Sequence, residues 1–198
     1  RLSTPVRWGI DENWTMFAAP VLRLAAESGA DWDQAVTGGV IAGISRRFSE
    51  RLTIGPGIGI LSELEDDSSV FPLLLLQWQI SDRFRLESGS GFAASRGPGL
   101  ALTWQATERL SLGVGGRYEK QRFRLDDRGP VPDGIGEKTS FPLFVGATYE
   151  VNDKIQAAVA GGAELGGELR QEDRDGRLLA EEDYDPAFFW GLTLAARF

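Results

Sequence analysis

A five-residue turn motif recurs along this chain and constrains its fold more than any other feature. Each copy holds an apolar residue, a small polar or acidic residue, an acid, then Arg, Lys or Asn, and a second apolar residue. The clear copies cover residues 48–52, 80–84, 106–110 and 151–155, and a looser copy covers 10–14. Short polar stretches between apolar flanks predict tight connections between strands.

Side chains between the turns alternate between two classes. After the second turn, Leu52, Ile54, Ile58 and Ile60 fall on one face, and the other face carries Thr53 and three glycines. The run at the C-terminus alternates in the same way. A period of two predicts strands, and 25 glycines in 198 residues disfavour helix. The sequence therefore predicts an all-β chain.

Counting strands between turns predicts a single up-and-down antiparallel β-barrel domain over residues 1–198. The pattern gives about ten strands, and eight or twelve are also compatible with it. Residues 1–13 are open to three interpretations: a tail, an inserted segment or a further strand. The predicted strands are 14–25, 34–47, 52–64, 70–80, 83–94, 99–106, 109–123, 139–150, 154–170 and 185–198.

The connections differ between the two ends of the predicted barrel. Those at one end are the short turns, whereas those at the other end are longer and acidic, over 62–69, 125–138 and 171–186. The connection near 95–98 is the short exception. Short turns at one end and long loops at the other are typical of transmembrane β-barrels.

The two faces of the strands carry different residues. Aromatic residues beside the turns, on the apolar face, predict a girdle at the periplasmic membrane interface, because aromatic rings prefer the headgroup region of a bilayer. Its members are Phe48, Trp78, Phe84, Trp104, Tyr149 and Phe198. The opposite face is predicted to line a small lumen with paired charges and amides. Its candidates are Gln77, Gln79, Arg85, Glu87, Thr103, Gln105, Arg117, Glu119 and Glu164.

The final run, residues 188–198, resembles the C-terminal signal of small bacterial outer-membrane β-barrel proteins. In that signal a terminal aromatic follows alternating apolar residues, here Phe198 after Trp190, Leu192 and Leu194, and the small Ala196 departs from the pattern. The resemblance implies a location in the bacterial outer membrane. It also implies two partners, the lipid bilayer and the barrel-assembly machinery that recognises the last strand.

Composition excludes several classes of function. Without histidine the chain cannot build the Ser–His or Asp–His sites of barrel hydrolases and proteases. Without cysteine it has no disulfides or thiolate metal sites. A formal net charge of -8 argues against nucleic acid as a partner. The longest apolar stretch, 70–76, is interrupted by Pro72 and is too short for a membrane-spanning helix.

Two patterns suggest chemistry that we do not predict. Glu87 and Glu119 could act as an acid–base pair, but next to Arg85 and Arg117 they are better explained as structural ion pairs. Residues 171–176 approach a calcium-loop pattern but begin with Gln and have predicted strands on both sides. We therefore predict no cofactor and no specific metal site. Acidic loops that bridge divalent cations to anionic lipids remain an open alternative.

The predicted function is that of a non-enzymatic outer-membrane β-barrel. It would be a structural or surface-interaction protein, or a narrow passage for small solutes with a charged, largely filled lumen. The alternative is a soluble, lipocalin-like barrel whose apolar face lines a pocket for a hydrophobic ligand.

Overall fold

The computed structural model describes residues 2–30, 32–64, 66–88 and 98–196. These residues form one antiparallel sheet, with a short 3-10 helix at Trp32–Ala35 and no α-helix in the described ranges. The strand segments are β1 (Leu2–Ser3), β2 (Val6–Gly9), β3 (Trp14–Leu24), β4 (Val36–Ser49), β5 (Leu52–Glu63), β6 (Asp66–Gln79), β7 (Phe84–Ser88), β8 (Gly99–Gln105), β9 (Leu110–Arg117), β10 (Glu119–Arg124), β11 (Ile135–Asn152), β12 (Ile155–Glu172), β13 (Leu178–Tyr184) and β14 (Ala187–Ala196).

The segments follow one another up and down through the sheet, as predicted. Three pairs of segments share one neighbour: β1 and β2 both pair with β3, β9 and β10 with β11, and β13 and β14 with β12. Two segments that share a neighbour occupy one place in the strand order, so the fourteen described segments fill eleven places. In the described ranges no hydrogen bonds join the first place to the last, so β1–β2 and β13–β14 are the two edges of the sheet.

Ten of the eleven places correspond to the predicted strands. The eleventh is the N-terminal segment, for which three interpretations were open: Val6–Gly9 pairs with 15–18 of β3, which makes it a further strand. Residues 89–97 lie outside the described residues, so the second half of the predicted strand 83–94 and most of the connection 95–98 are not described.

All three predicted long loops were drawn too wide, since β11 already begins at Ile135, within 125–138. β5 runs to Glu63 and β6 starts at Asp66, so strand occupies most of 62–69. The stretch 171–186 contains β13. The reason is that charged side chains here pair across strands: Arg170 lies opposite Glu181, with 3.0 Å between Nε and Oε2. Cross-strand pairs of opposite charge stabilise a sheet, whereas charge in the sequence suggested a loop.

The second residue of each turn motif explains why the motif recurs. Its side-chain oxygen accepts hydrogen bonds from the backbone N–H two or three residues later. Asn152 Oδ1 accepts from Lys154 and Ile155, both at 2.9 Å. The equivalent acceptors in the other copies are Asp11, Ser49, Ser81 and Thr107. Asn, Asp, Ser and Thr favour turns through this local bond.

Contacts between strands that are not neighbours show that the sheet is strongly curled. Glu63 at the end of β5 lies 3.4 Å from Arg122 on β10, although β6, β7 and β8 stand between them in the sheet. The segment that follows β3 reaches β10 as well. The N–H of Glu27 donates to the carbonyl of Arg124 at 2.9 Å, and the N–H of Arg124 donates to that of Ala25 at 3.0 Å.

Curling gives the sheet an inner and an outer face. The inner face carries the buried Ala101 and Phe144, against which Phe189 of β14 packs. Five inner positions of β4 and β5 are glycine, and next to them β3 and β6 place Phe17, Phe71, Leu73 and Leu75 on the same face. A Cβ at Gly43 would lie 2.8 Å from atoms of both Phe17 and Leu75. The glycines therefore make room for rings and branched side chains from the flanking strands.

We expect Gly55→Ala to lower the free energy of unfolding by about 1–3 kcal/mol, as overpacking typically does. A Cβ at Gly55 would overlap the carbonyl of Ile44 and lie 2.6 Å from the Cα of Ser45, so backbone must move. Gly161→Ala is the matched control, since its nearest atom is a carbonyl oxygen 3.4 Å away. Urea unfolding followed by Trp fluorescence measures both variants; equal midpoints would contradict this packing explanation.

Candidate functional site

The predicted lumen residues share the inner face. The cross-strand register aligns Gln77 with Glu87 and Gln79 with Arg85, and it continues to Thr103 opposite Arg85. Gln105, Arg117, Glu119 and Glu164 occupy inner positions on the later strands. The structure thus places all nine on the same face.

Most of these polar side chains have partners close by. Arg117 Nε lies 2.6 Å from Glu119 Oε1, and its guanidinium also sits 5.2 Å from the centre of the Phe144 ring. Arg85 Nε donates to Gln79 Oε1 at 3.0 Å. Glu164 accepts from the hydroxyl of Tyr184 at 3.0 Å. These contacts anchor the side chains to neighbouring strands.

The predicted aromatic residues lie on the outer face beside the turns. Phe48, Trp78, Phe84, Trp104 and Tyr149 are all exposed. Phe84 and Trp104 lie opposite each other and stack, with ring centroids 6.2 Å apart. Phe198, the sixth predicted member, lies outside the described residues.

A further aromatic at this level, Trp14, is not part of the sequence-predicted set. The Arg46 guanidinium lies 5.5 Å from the Trp14 ring centroid and 5.0 Å from that of Phe48. It therefore links two rings at the turn end of the outer face. A basic residue next to aromatic rings is typical of a membrane interface.

A cavity of about 990 Å³ covers the inner face of the first strands and also extends to Leu74, Leu100 and Leu143, whose register positions lie on the outer face. Its wall is formed mainly by β3, β4, β5 and β6, and the register arranges the lining in levels. Nearest the turns is a polar level, which includes Asn13, Arg47, Thr53 and Gln77. The next levels, further from the turns, are largely apolar and hold Phe17, Ile41, Phe71, Leu73 and Leu75.

Sequence reasoning missed this apolar wall. The alternation of Phe71, Leu73 and Leu75 was hidden because the residues between them, Pro72 and Leu74, are apolar too. A usable signal was the glycine column at 55, 57 and 59, whose missing side chains leave space for large residues opposite. The register places Gly57 opposite Leu73 and Gly59 opposite Phe71.

Charged side chains from several strands meet at the loop end of the curled sheet. We refer to Glu63, Lys120, Arg122, Glu137 and Glu172 as the loop-end charge cluster. Arg122 is its centre: Nη1 lies 3.3 Å from Glu137 and 3.4 Å from Glu63, and Nη2 lies 2.5 Å from Glu172. Nη2 also donates to the carbonyl of Leu64 at 3.1 Å. The cluster joins strands β5, β10, β11 and β12.

Lys120 is the second cation of this cluster. Its Nζ lies 3.2 Å from Glu137 and 3.5 Å from Glu63. Burial acts to lower the pKa of Lys120, but the two carboxylates outweigh it, so the pKa is raised above its ordinary value. The raised pKa stabilises the fold below the unfolded-state pKa of about 10.4, and this contribution is lost as the pH rises through the folded pKa.

The connection after β3 covers part of the loop end of the sheet. Besides its backbone bonds to Arg124, Glu27 Oε2 accepts from the N–H of Asp126 at 3.2 Å. The Arg124 side chain is buried and donates to the carbonyl of Asp133 at 2.8 Å. The loop end is therefore covered by chain as well as by ion pairs.

The calcium-like stretch 171–176 has a simpler structural role. Asp173 Oδ1 accepts from the N–H of Asp175 at 2.9 Å and from that of Arg177 at 2.8 Å, which closes the turn before β13. In the part of the chain that the structure describes, no three metal-binding side chains come together. Of the acidic residues predicted for this connection, Glu181 pairs with Arg170 instead.

Comparison with family models, with curated proteins and with solved structures gives no significant match. Within the described residues, no helix has the length and apolar character needed to span a membrane.

Proposed function

We propose that this protein is a non-enzymatic β-barrel of the bacterial outer membrane. The observation that carries the proposal is the outer face. Strand after strand exposes large apolar side chains there, while the inner face carries the amides and the Arg117–Glu119 ion pair beside the apolar wall of β3–β6. The exposed residues include Val40, Ile58, Ile60, Val70, Leu74, Leu100, Val114, Leu143, Val145 and Val159. An apolar exterior around a polar interior is the arrangement of a barrel in lipid.

The strand lengths agree with this proposal. Crossing a bilayer takes about 9–11 tilted residues, and β4, β5, β6, β11 and β12 all reach or exceed that length. The surplus of β11 and β12, each 18 residues long, lies at the loop end. We propose that the turn end faces the periplasm and that the loop end extends beyond the membrane.

The free edges of the sheet also bear on this proposal. Phe188, Trp190, Leu192 and Leu194 of β14 are between 73% and 87% exposed. Unpaired backbone is costly in hydrocarbon, so an edge in a bilayer must find a partner. We propose that β14 closes the barrel against the N-terminal edge after the barrel-assembly machinery has engaged the C-terminal strand.

Closure would leave a lumen with little conductance. The loop-end charge cluster and the segment 25–30 cross the loop end of the curled sheet, as the contacts of Arg122 and Arg124 indicate. A structural or surface-interaction role is therefore favoured over a solute passage. The soluble, lipocalin-like alternative would have to leave the whole apolar outer face in water, which monomeric proteins rarely do.

Vesicle flotation tests the proposal directly. Protein refolded from urea into phosphatidylcholine vesicles should float with the lipid, resist extraction by sodium carbonate and migrate faster on gels without boiling. Planar bilayers should show small or no conductance steps. A protein that stays in the aqueous fraction as a folded monomer would contradict the proposal and support the soluble alternative.

A further inference from the structure

The charged side chains among the described lining residues of the cavity are all positive. Arg7, Arg23, Arg47 and Arg117 contribute to it, and among the described lining residues there is no Asp or Glu. Arg117 is already paired with Glu119. Across residues 2–30, 32–64, 66–88 and 98–196, no ion pair involves Arg47 or Arg7. These two cations are therefore available to an anionic ligand.

Arg47 stands at the boundary between the two zones of the cavity. It lies opposite Thr53, which in turn lies opposite Gln77, so a guanidinium, a hydroxyl and an amide share one level. The backbone N–H of Arg47 donates a hydrogen bond to the carbonyl of Asn13, which connects this level to the turn before β3. Guanidinium groups bind carboxylates and phosphates through strong charge-assisted bonds.

Above this level, on the side away from the turns, the lining becomes apolar. Leu75, Leu73 and Phe71 follow on β6, with Phe17 and Ile41 on the facing strands. From Leu75 to Phe71 the wall runs about 13 Å along the strand. Glycines at 43, 57 and 59 lie beside these side chains in the sheet and leave room for them, since a Cβ at Gly57 would lie 3.3 Å from Leu73 Cβ.

We infer that this cavity binds a single-chain anionic amphiphile, with its head group at Arg47 and its hydrocarbon chain against Phe17, Phe71 and Leu73. The total volume of about 990 Å³, which includes space beside Leu74, Leu100 and Leu143 on the outer face, lies within the range of natural small-molecule sites. This inference goes beyond the proposed function, because a structural barrel needs no ligand. The polar zone of the cavity would hold the head group of one molecule, and the apolar zone would hold its hydrocarbon chain.

The chemistry also excludes neighbouring classes of ligand. A neutral long-chain alcohol would satisfy the apolar wall but leave Arg47 without a counter-ion. An inorganic anion would pair with Arg47 but leave the apolar wall unused. Only a molecule with both parts uses the whole cavity.

Native mass spectrometry from a non-ionic detergent tests the inference. Folded protein is titrated with hexadecanoate and, separately, with hexadecanol, and the bound fraction is read from the mass shift. We expect wild-type protein to bind one hexadecanoate at least tenfold more tightly than hexadecanol, since one charge-assisted bond supplies about that factor. Equal binding of the two molecules would overturn the inference.

The chain offers a matched pair of variants. Arg47→Gln removes the inner cation, whereas Arg46→Gln removes the adjacent arginine, which lies on the outer face over aromatic rings. We expect Arg47→Gln to lose the preference for the acid and Arg46→Gln to keep it. If both variants bind hexadecanoate alike, the head-group site is not at Arg47 and the inference fails.

A third variant keeps the test valid if Arg47→Gln folds poorly. Thr53→Glu places a carboxylate opposite Arg47, where it should pair with the guanidinium and repel an anion. Hexadecanoate binding should fall at least tenfold and hexadecanol binding should stay unchanged. Undiminished hexadecanoate binding would overturn the inference. Because the experiment is done in micelles, its failure would leave the proposed membrane location untouched.

Discussion

Replacing Val145 by Arg should lower the free energy of unfolding in lipid vesicles by about 2–4 kcal/mol, the cost of a cation near the middle of a barrel's lipid face. Val145 points outward from β11, opposite Val114 and Gly161, and is 61% exposed. It lies four residues, about 13 Å of strand, from Tyr149 at the turn end. In an apolar band about 25 Å tall, that position is close to the midplane.

The same substitution at Val36 is the control. Val36 is 55% exposed on β4, but it lies twelve residues from Phe48 and so falls beyond the band at the loop end. We expect Val36→Arg to change stability by less than about 0.5 kcal/mol, as exposed substitutions usually do. Urea titration of vesicle-bound protein measures both. If Val145→Arg costs no more than Val36→Arg, the outer face does not meet lipid.

Replacing Arg122 by Met should cost about 3–5 kcal/mol of stability, as removal of one partner from a buried ion cluster does. The Arg122 side chain is only 10% exposed, and it neutralises carboxylates from three strands: Glu63, Glu137 and Glu172. Without it, Lys120 is the only cation of the cluster facing those three acids. Their repulsion should open the loop end, where the ends of β5 and β12 meet β10.

Arg128→Met provides the comparison, because Arg128 is 90% exposed and pairs only loosely with Asp127 at 3.6 Å. Its cost should stay below about 0.5 kcal/mol. Adding Glu63→Gln to Arg122→Met should recover part of the loss, since it removes one uncompensated charge. Hydrogen exchange of the ends of β5 and β12 would localise the effect. Equal unfolding midpoints for Arg122→Met and Arg128→Met would show that the cluster adds nothing to stability.

Local interactions explain which features of the fold were predictable. Turns could be located because the capping side chain and the N–H groups it accepts from lie within three residues, as with Asn152 and Ile155. The two faces could be assigned because side chains alternate along every strand. The set from Gln77 to Glu164 therefore falls on one face without any knowledge of which strands are close in space.

Features that depend on distant residues were not predictable in this way. The charges of β13 suggested a loop because the partner of one of them, Glu181, is Arg170 on β12, eleven residues earlier in the chain. The loop-end charge cluster joins Glu63 to Arg122, which are 59 residues apart. No spacing rule relates those positions, because the curl of the sheet brings them together.

The sequence by itself determined the class of structure: antiparallel strands, the positions of the turns and the residues on each face. These follow from hydrogen bonds across two or three residues and from a period of two. Only the tertiary structure decided that the N-terminal segment pairs with β3, that charges close the loop end and that Arg47 stands beside an apolar wall. Those contacts arise from curvature and register, which set the distances between residues far apart in the chain.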